Sequence, residues 1–217
     1  MKFPKCDEIP LGLYPIVDRA YKLKPLYEAG ITTAQLRVKD REGEPLEKEV
    51  REAVKLSERY DARFFLNDYW QLAIKYGAYG VHLGQEDIQE ADIEAIYEAG
   101  LRLGISSHTP QEIDIALGFE PSYLAIGPIF EPISKKMVYQ NVGIANLKAW
   151  SEYVPYPIVA IGGITEENIA AVAQSHTASG IAMISAVLDE EGEVSKAKTE
   201  HLIHLLQENS QCTPPQS

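Results

Sequence analysis

In the stretch Gln35-Leu36-Arg37-Val38-Lys39, alternation sends Gln35, Arg37 and Lys39 to one side of an extended chain and Leu36 and Val38 to the other. Two cations facing away from the apolar pair lose hydration, and something must compensate them. A bound polyanion would do so, with Arg37 gripping it bidentately; internal carboxylates could neutralise the pair instead. Carboxylates also close two short apolar runs, in Asn67-Asp68 and in Gly84-Gln85-Glu86-Asp87. Asp68 and Asp87 suit Mg²⁺, which takes few protein ligands and fills its octahedron with water and phosphate oxygens. Glu86 competes with Asp87, and Asn67 or Asp68 could simply cap the helix that starts near Tyr69.

Hydroxyls follow another run at Ser106-Ser107-His108, where Ser107 or Thr109 could instead begin a helix. His108 is the histidine placed to do chemistry. His82, inside a run, reads as a hydrogen-bonded core residue, and the His201/His204 pair as solvated. Residues 127–136 form a long loop in which Lys135 or Lys136 could clamp an anion. Gly162-Gly163 and Ile184-Ser185 close two further runs. Glycine lets backbone N–H groups approach a phosphate closely, and a helix N-terminus beside them would favour its charge.

These groups need elements that bring them together. Apolar runs at residues 11–17, 33–38, 63–66, 80–83, 101–105, 123–129, 157–161 and 180–184 read as parallel strands buried on both faces. Amphipathic stretches at 46–60, 91–99 and 195–207 read as helices, and Thr109-Pro110-Gln111-Glu112 is a capping box. Eight such alternations predict a single (β/α)8 TIM barrel over residues 1–210, with chemistry at the C-terminal ends of the strands. The polar residues singled out above fall there. Residues 211–217, with two prolines and no periodicity, are expected to be a disordered tail.

The 217 residues carry 20 basic and 32 acidic side chains, a net charge of −12, which argues against nucleic-acid binding but not against a small anion in a locally basic cleft. Cys6 and Cys212 show no metal or redox spacing and are expected to be plain thiols in a reducing compartment. No segment reads as a secretory signal or a membrane span, so a soluble, cytoplasmic protein is expected.

The ordered motifs Gly12-Leu13-Tyr14-Pro15-Ile16-Val17-Asp18, Gln35 to Asp40, Asn67-Asp68-Tyr69-Trp70, Gly80 to Asp87, Gly104 to His108, Ala160-Ile161-Gly162-Gly163 and Ile184-Ser185-Ala186 together resemble the thiamine phosphate synthase family. That resemblance implies a transferase joining 4-amino-2-methyl-5-(diphosphomethyl)pyrimidine to 4-methyl-5-(2-phosphoethyl)thiazole, with release of diphosphate. It makes Gln35, Arg37, Lys39, Asn67, Ser106 and Lys135 the pyrimidine-diphosphate site. Arg37, Lys39, Ser106 and Lys135 are then the catalytic residues. Asp68 and Asp87 become Mg²⁺ ligands, and Gly163, Ile184 and Ser185 the thiazole-phosphate cradle. The implied partners are those two small molecules, and self-association stays open. Where the family usually has Pro-Thr-x-Thr-Lys, this chain has Glu131-Pro132-Ile133-Ser134-Lys135. Ser134 keeps a hydroxyl and counts as a binding residue, while Pro132 loses both a hydroxyl and a backbone donor. The alternatives are a tautomerase-like paralogue acting on the thiazole phosphate through a histidine near His108, and a non-catalytic regulator that binds it.

Overall fold

In the computed structural model, which describes residues 1–6, 10–131 and 141–210, eight short parallel strands pair in sequence order and the last pairs back to the first. The strands are β1 (Gly12–Val17), β2 (Thr33–Leu36), β3 (Arg63–Asn67), β4 (Gly80–Leu83), β5 (Arg102–Ser107), β6 (Tyr123–Ile126), β7 (Ile158–Ile161) and β8 (Gly180–Met183). Between and after them lie α1 (Leu23–Glu28), α2 (Gly43–Arg59), α3 (Trp70–Tyr76), α4 (Asp87–Glu90), α5 (Ile93–Glu98), α6 (Pro110–Leu117), α7 (Gly143–Ser151), α8 (Ile169–Ala173) and α9 (Lys196–Ser210). This is the predicted (β/α)8 barrel. Residues 211–217 and Cys212 lie outside the described residues.

Each apolar run became a strand, but the strands are not uniformly apolar on both faces. Leu36, Phe64, Leu66, Val81, Leu103, Ile105, Leu124 and Ile181 point outward into the large cluster shared with the helices. Tyr14, Ile16, Phe65, Tyr123, Ala125, Val159 and Ala182 form a separate cluster inside the barrel. The period of two, invisible in a run of similar apolar letters, thus separates two cores.

The inner core alternates large with absent side chains. A Cβ on Gly80 would lie 2.5 Å from the Phe65 ring, and one on Gly104 would lie 2.2 Å from the Tyr123 ring. Two glycines therefore make the space that two aromatics fill, since the interior tolerates neither void nor overlap. One end of the barrel is covered by the chain's start. Phe3 is 2% exposed, its N–H donates to the Glu120 carbonyl, and Ser122 Oγ donates to the Pro4 carbonyl. The C-terminal rim is the end where the polar side chains gather.

Candidate functional site

The β2 ladder ends at Leu36, two residues earlier than the run suggested, although the Arg37 N–H still donates to the Val17 carbonyl at 2.8 Å. Val38 remains buried with the outer core, so the alternation persists past the ladder. Gln35 is 2% exposed inside the barrel, while Arg37 and Lys39 are exposed on the rim. The three residues therefore occupy one side at rising height. Lys39 forms an ion pair with Asp68. Arg37 has no carboxylate partner among the described residues, and its charge reaches the His82 ring.

Neither Asn67 nor Asp68 caps α3, whose N-cap is Tyr69 without a side-chain bond. The Asp68 backbone takes a left-handed φ of 64°, its N–H donates to the His82 carbonyl at 2.9 Å, and its carbonyl accepts from the Trp70 N–H at 2.7 Å. That conformation is unusual for a residue with a Cβ and costs on the order of 1 kcal/mol. It turns the carboxylate toward Lys39 instead of into the helix.

After β4, Asp87 folds back over Gly84 and accepts its N–H at 3.2 Å. A Cβ on Gly84 would lie 2.8 Å from that carboxylate oxygen, so the glycine is what admits the turn. Glu86, the competing carboxylate, is exposed. The Asp87 charge reaches the His82 ring, as that of Arg37 does. The loop is tied to β5 by Gln85, whose Nε2 donates to the Ser106 carbonyl at 2.6 Å. Sequence reasoning passed over Gln85, although it stands beside two candidate ligands.

Among the described residues no group of three or more His, Cys, Asp or Glu side chains converges as a metal cage. Two carboxylates from adjacent strand ends, one half-neutralised by a lysine and one by a backbone N–H, nevertheless fit Mg²⁺. That ion needs only one or two protein oxygens when water and phosphate complete its shell.

On β5 the two hydroxyls part company. Ser107 is fully buried, whereas Ser106 stands half-buried at the rim and bonds His82 Nε2 at 2.8 Å. Thr109 caps α6, accepting the Glu112 N–H at 3.2 Å. Glu112 reaches back to His108 instead of Thr109, taking its backbone N–H at 2.6 Å and its ring Nδ1 at 2.8 Å. His82 is the expected core histidine, 7% exposed, and burial pushes its imidazole down to about 4. His201 and His204 sit exposed against Glu166 and Glu208.

Across the barrel, Gly162 and Gly163 take φ of 97° and 64°. A Cβ on Gly163 would lie 2.4 Å from the Phe130 carbonyl oxygen, so the pair is required where the β6–α7 loop crosses it. Asn168 clamps the turn, donating to the Gly163 carbonyl at 2.9 Å and accepting the Thr165 N–H at 2.8 Å. The expected helix N-terminus is not at this cradle. α8 begins only at Ile169, and the segment after β8 is a single turn closed by the Leu188 N–H on the Ser185 carbonyl at 3.0 Å. The antiparallel bridge of Leu188 with Val194 draws the chain after that turn into a short hairpin, closed by the Asp189 N–H on the Glu193 carbonyl. Ile184, 53% exposed, and Ser185 project from this turn. Ser134, Lys135 and Lys136 lie outside the described residues.

A cavity of about 790 Å³ lies at the opposite end of the barrel, against the first residues of β1, β7 and β8. Its lining includes no lysine, arginine or carboxylate, so it lacks the charged side chains that gather at the rim. The rim, with its cations, carboxylates and glycine turns, is where a polyanionic ligand fits.

The family model for thiamine monophosphate synthase matches residues 13–187. A thiamine-phosphate synthase of Salmonella schwarzengrund (strain CVM19633) is 51% identical over 178 residues, 82% of this chain and 84% of that protein. A solved thiamine phosphate pyrophosphorylase of Pyrococcus furiosus superposes with a TM-score of 0.80 at 31% identity, covering 92% of this chain and 97% of the other. The N-(5'-phosphoribosyl)anthranilate isomerase of Pyrococcus furiosus, at 11% identity and a TM-score of 0.64 over 91% of this chain and 99% of its own, shares the barrel alone.

Proposed function

Because the chain belongs to the thiamine monophosphate synthase family, and is thereby a transferase of thiamine biosynthesis, we propose that it couples 4-amino-2-methyl-5-(diphosphomethyl)pyrimidine with 4-methyl-5-(2-phosphoethyl)thiazole to give thiamine phosphate and diphosphate. The observation that supports this reading is the sharing of one rim by two groups of residues suited to an anion, of different make. Strands β2 to β5 contribute Arg37, Lys39, Asp68, Asp87 and Ser106, and the turns after β7 and β8 contribute Gly163, Ile184 and Ser185.

In this reading Gln35, Asn67 and Ser106 hold the pyrimidine, and Arg37 and Lys39 take the diphosphate. The family resemblance adds Lys135 to the same anion. The bond between the methylene carbon and the diphosphate oxygen breaks first, and the electron pair leaves with diphosphate. Arg37 neutralises the charge that develops there, and Lys39 exchanges Asp68 for a diphosphate oxygen. The aminopyrimidine ring delocalises the cation, and the thiazole nitrogen supplies the pair that forms the new bond. Bound Mg²⁺, held by Asp68 and Asp87, would add charge neutralisation on the leaving group. The cradle at Gly163, Ile184 and Ser185 fixes the thiazole by its phosphate, so its nitrogen faces the methylene carbon. No nucleophile–base pair is required. The thiols and the small phosphorylated substrates suit a cytoplasmic setting, and among the described residues no helix is long and apolar enough to cross a membrane.

The test is incubation with both substrates, with and without Mg²⁺, followed by fluorescence of the oxidised product. Mg²⁺-dependent thiamine phosphate is expected. Binding of the thiazole phosphate without product would identify a regulator, and conversion of the thiazole phosphate alone a tautomerase.

A further inference from the structure

A chain of hydrogen bonds crosses the interior of the barrel from Gln35 to Ser106, and its direction can be deduced. Gln35 Nε2 lies 3.3 Å from Tyr14 Oη, Tyr14 Oη 2.9 Å from Tyr123 Oη, Tyr123 Oη 2.8 Å from His82 Nδ1, and His82 Nε2 2.8 Å from Ser106 Oγ. Four of the five residues are at most 7% exposed, so water does not compete along the way. An amide nitrogen only donates, so Tyr14 accepts from Gln35. Either phenol could donate in the Tyr14–Tyr123 bond, but Tyr14 is 1% exposed and bonds only Gln35 and Tyr123, so its hydrogen is satisfied only if it goes to Tyr123. Tyr123 likewise has one, and it goes to His82 Nδ1. An imidazole sealed among phenol rings is neutral and carries a single hydrogen, which must then sit on Nε2 and point at Ser106 Oγ. Ser106 accepts it, and its own hydrogen is left to point away from the barrel interior.

We propose that Tyr123, acting through His82, sets the polarity of the Ser106 hydroxyl so that it donates its hydrogen to the ligand at the rim. Tyr123 and His82 are positioning residues: neither touches the ligand, and both decide what Ser106 presents to it. The inference rests on Ser106 meeting the pyrimidine substrate, as in the proposed reaction. It also explains the inner-core geometry. Gly104 clears the space that the Tyr123 ring occupies, and the Tyr123 and His82 rings lie within 22° of parallel. A phenylalanine at 123 would fill the same space, so the hydroxyl contributes something other than packing.

The direct test is ¹⁵N NMR of the full chain with labelled histidine and no ligand, the His82 signal being assigned by its loss in His82→Gln. The expected result is a neutral ring with hydrogen on Nε2, becoming a mixture of tautomers in Tyr123→Phe. Hydrogen on Nδ1 in the unaltered chain would mean that every proton in the chain runs the other way, and would overturn the proposal. Kinetics give a second readout. Tyr123→Phe should lower kcat/KM for the pyrimidine substrate about tenfold, and Tyr14→Phe about threefold or less, because Tyr123 can still donate to His82 without Tyr14. Equal losses in the two variants, tracking equal losses in Tm, would show a merely structural network. Should either variant fail to fold, the tautomer in the unaltered chain still decides. The tautomer is read without substrate, so a chain that makes no thiamine phosphate would sink the proposed reaction while leaving the proton order standing.

Discussion

In the proposed reaction the two halves of the rim would solve one problem, holding a phosphate, in different materials. On the β2–β5 side the work would fall to side chains that are themselves held in place: Lys39 against Asp68, Asp87 against the Gly84 N–H, Ser106 against His82. On the β7–β8 side it falls to backbone made accessible by Gly162 and Gly163, locked by Asn168 and by the loop that crosses at Phe130. The first half can be rearranged by charge, as a departing diphosphate requires. The second has no charge to move and suits a phosphate that stays bound while chemistry happens elsewhere on its molecule.

Substitutions should separate the halves, and the largest effect is expected at the carboxylates. Asp68→Asn and Asp87→Asn keep shape but remove an anionic oxygen from the ion's shell. Mg²⁺-dependent turnover should fall by about a hundredfold or more, with the thiazole-phosphate Kd unchanged. Normal turnover in both variants would disprove the metal assignment.

Next in size is a pH effect confined to the side-chain half. Burial lowers the His82 imidazole from its usual 6.5 to about 4, with the Asp87 charge pulling it up and that of Arg37 pushing it down. Between those values the unfolded chain binds a proton that the folded one refuses. Stability is therefore whole above about pH 6.5 and declines as the pH falls toward 4, by about 3 kcal/mol. Urea unfolding of the metal-free protein at the two ends of that window, compared with His82→Gln, checks this; the variant should lose that share of the slope.

A smaller effect is expected at the glycine turn. Gly163→Ala must place a Cβ against the Phe130 carbonyl at a positive φ, costing about 1–3 kcal/mol of stability. It should raise KM for the thiazole phosphate and leave that for the pyrimidine within about twofold. Smallest of all is Ser185→Ala, about threefold or less in the same KM, because backbone N–H groups would carry the phosphate. A larger loss there than at Gly163 would mean that the hydroxyl, not the backbone, makes the cradle.

How much of this could be read from the letters depended on range. The strands were legible because Leu, Ile and Val cluster in short runs, and the rim was legible because Arg37 stands at the end of one and Asp68, Asp87 and Gly163 follow others. The strand ends moved, β2 stopping at Leu36 and β5 running on to Ser107, because a ladder ends where its neighbour leaves it. The inner core was not legible. Tyr14 and Tyr123 are 109 residues apart, and a Tyr at a strand start looks like any other apolar residue until parity fixes its side. Lys39 with Asp68 was legible as two alternatives, and the structure shows the pair joined. The glycine turn proposed as a phosphate cradle was legible, but the absence of a helix N-terminus beside it was not, since the chain after β8 is drawn outward by a bridge six residues wide that no local pattern announces.

In the proposed reaction one rim carries two separable anion sites. Calorimetric titration of the full chain with Mg²⁺-diphosphate and with thiazole phosphate, in the unaltered protein, Lys39→Ala and Gly163→Ala, tests it most directly. Both ligands should bind the unaltered protein together, Lys39→Ala should lose diphosphate alone, and Gly163→Ala should weaken thiazole phosphate alone. Mutual exclusion of the two ligands, or loss of both on one substitution, would contradict it.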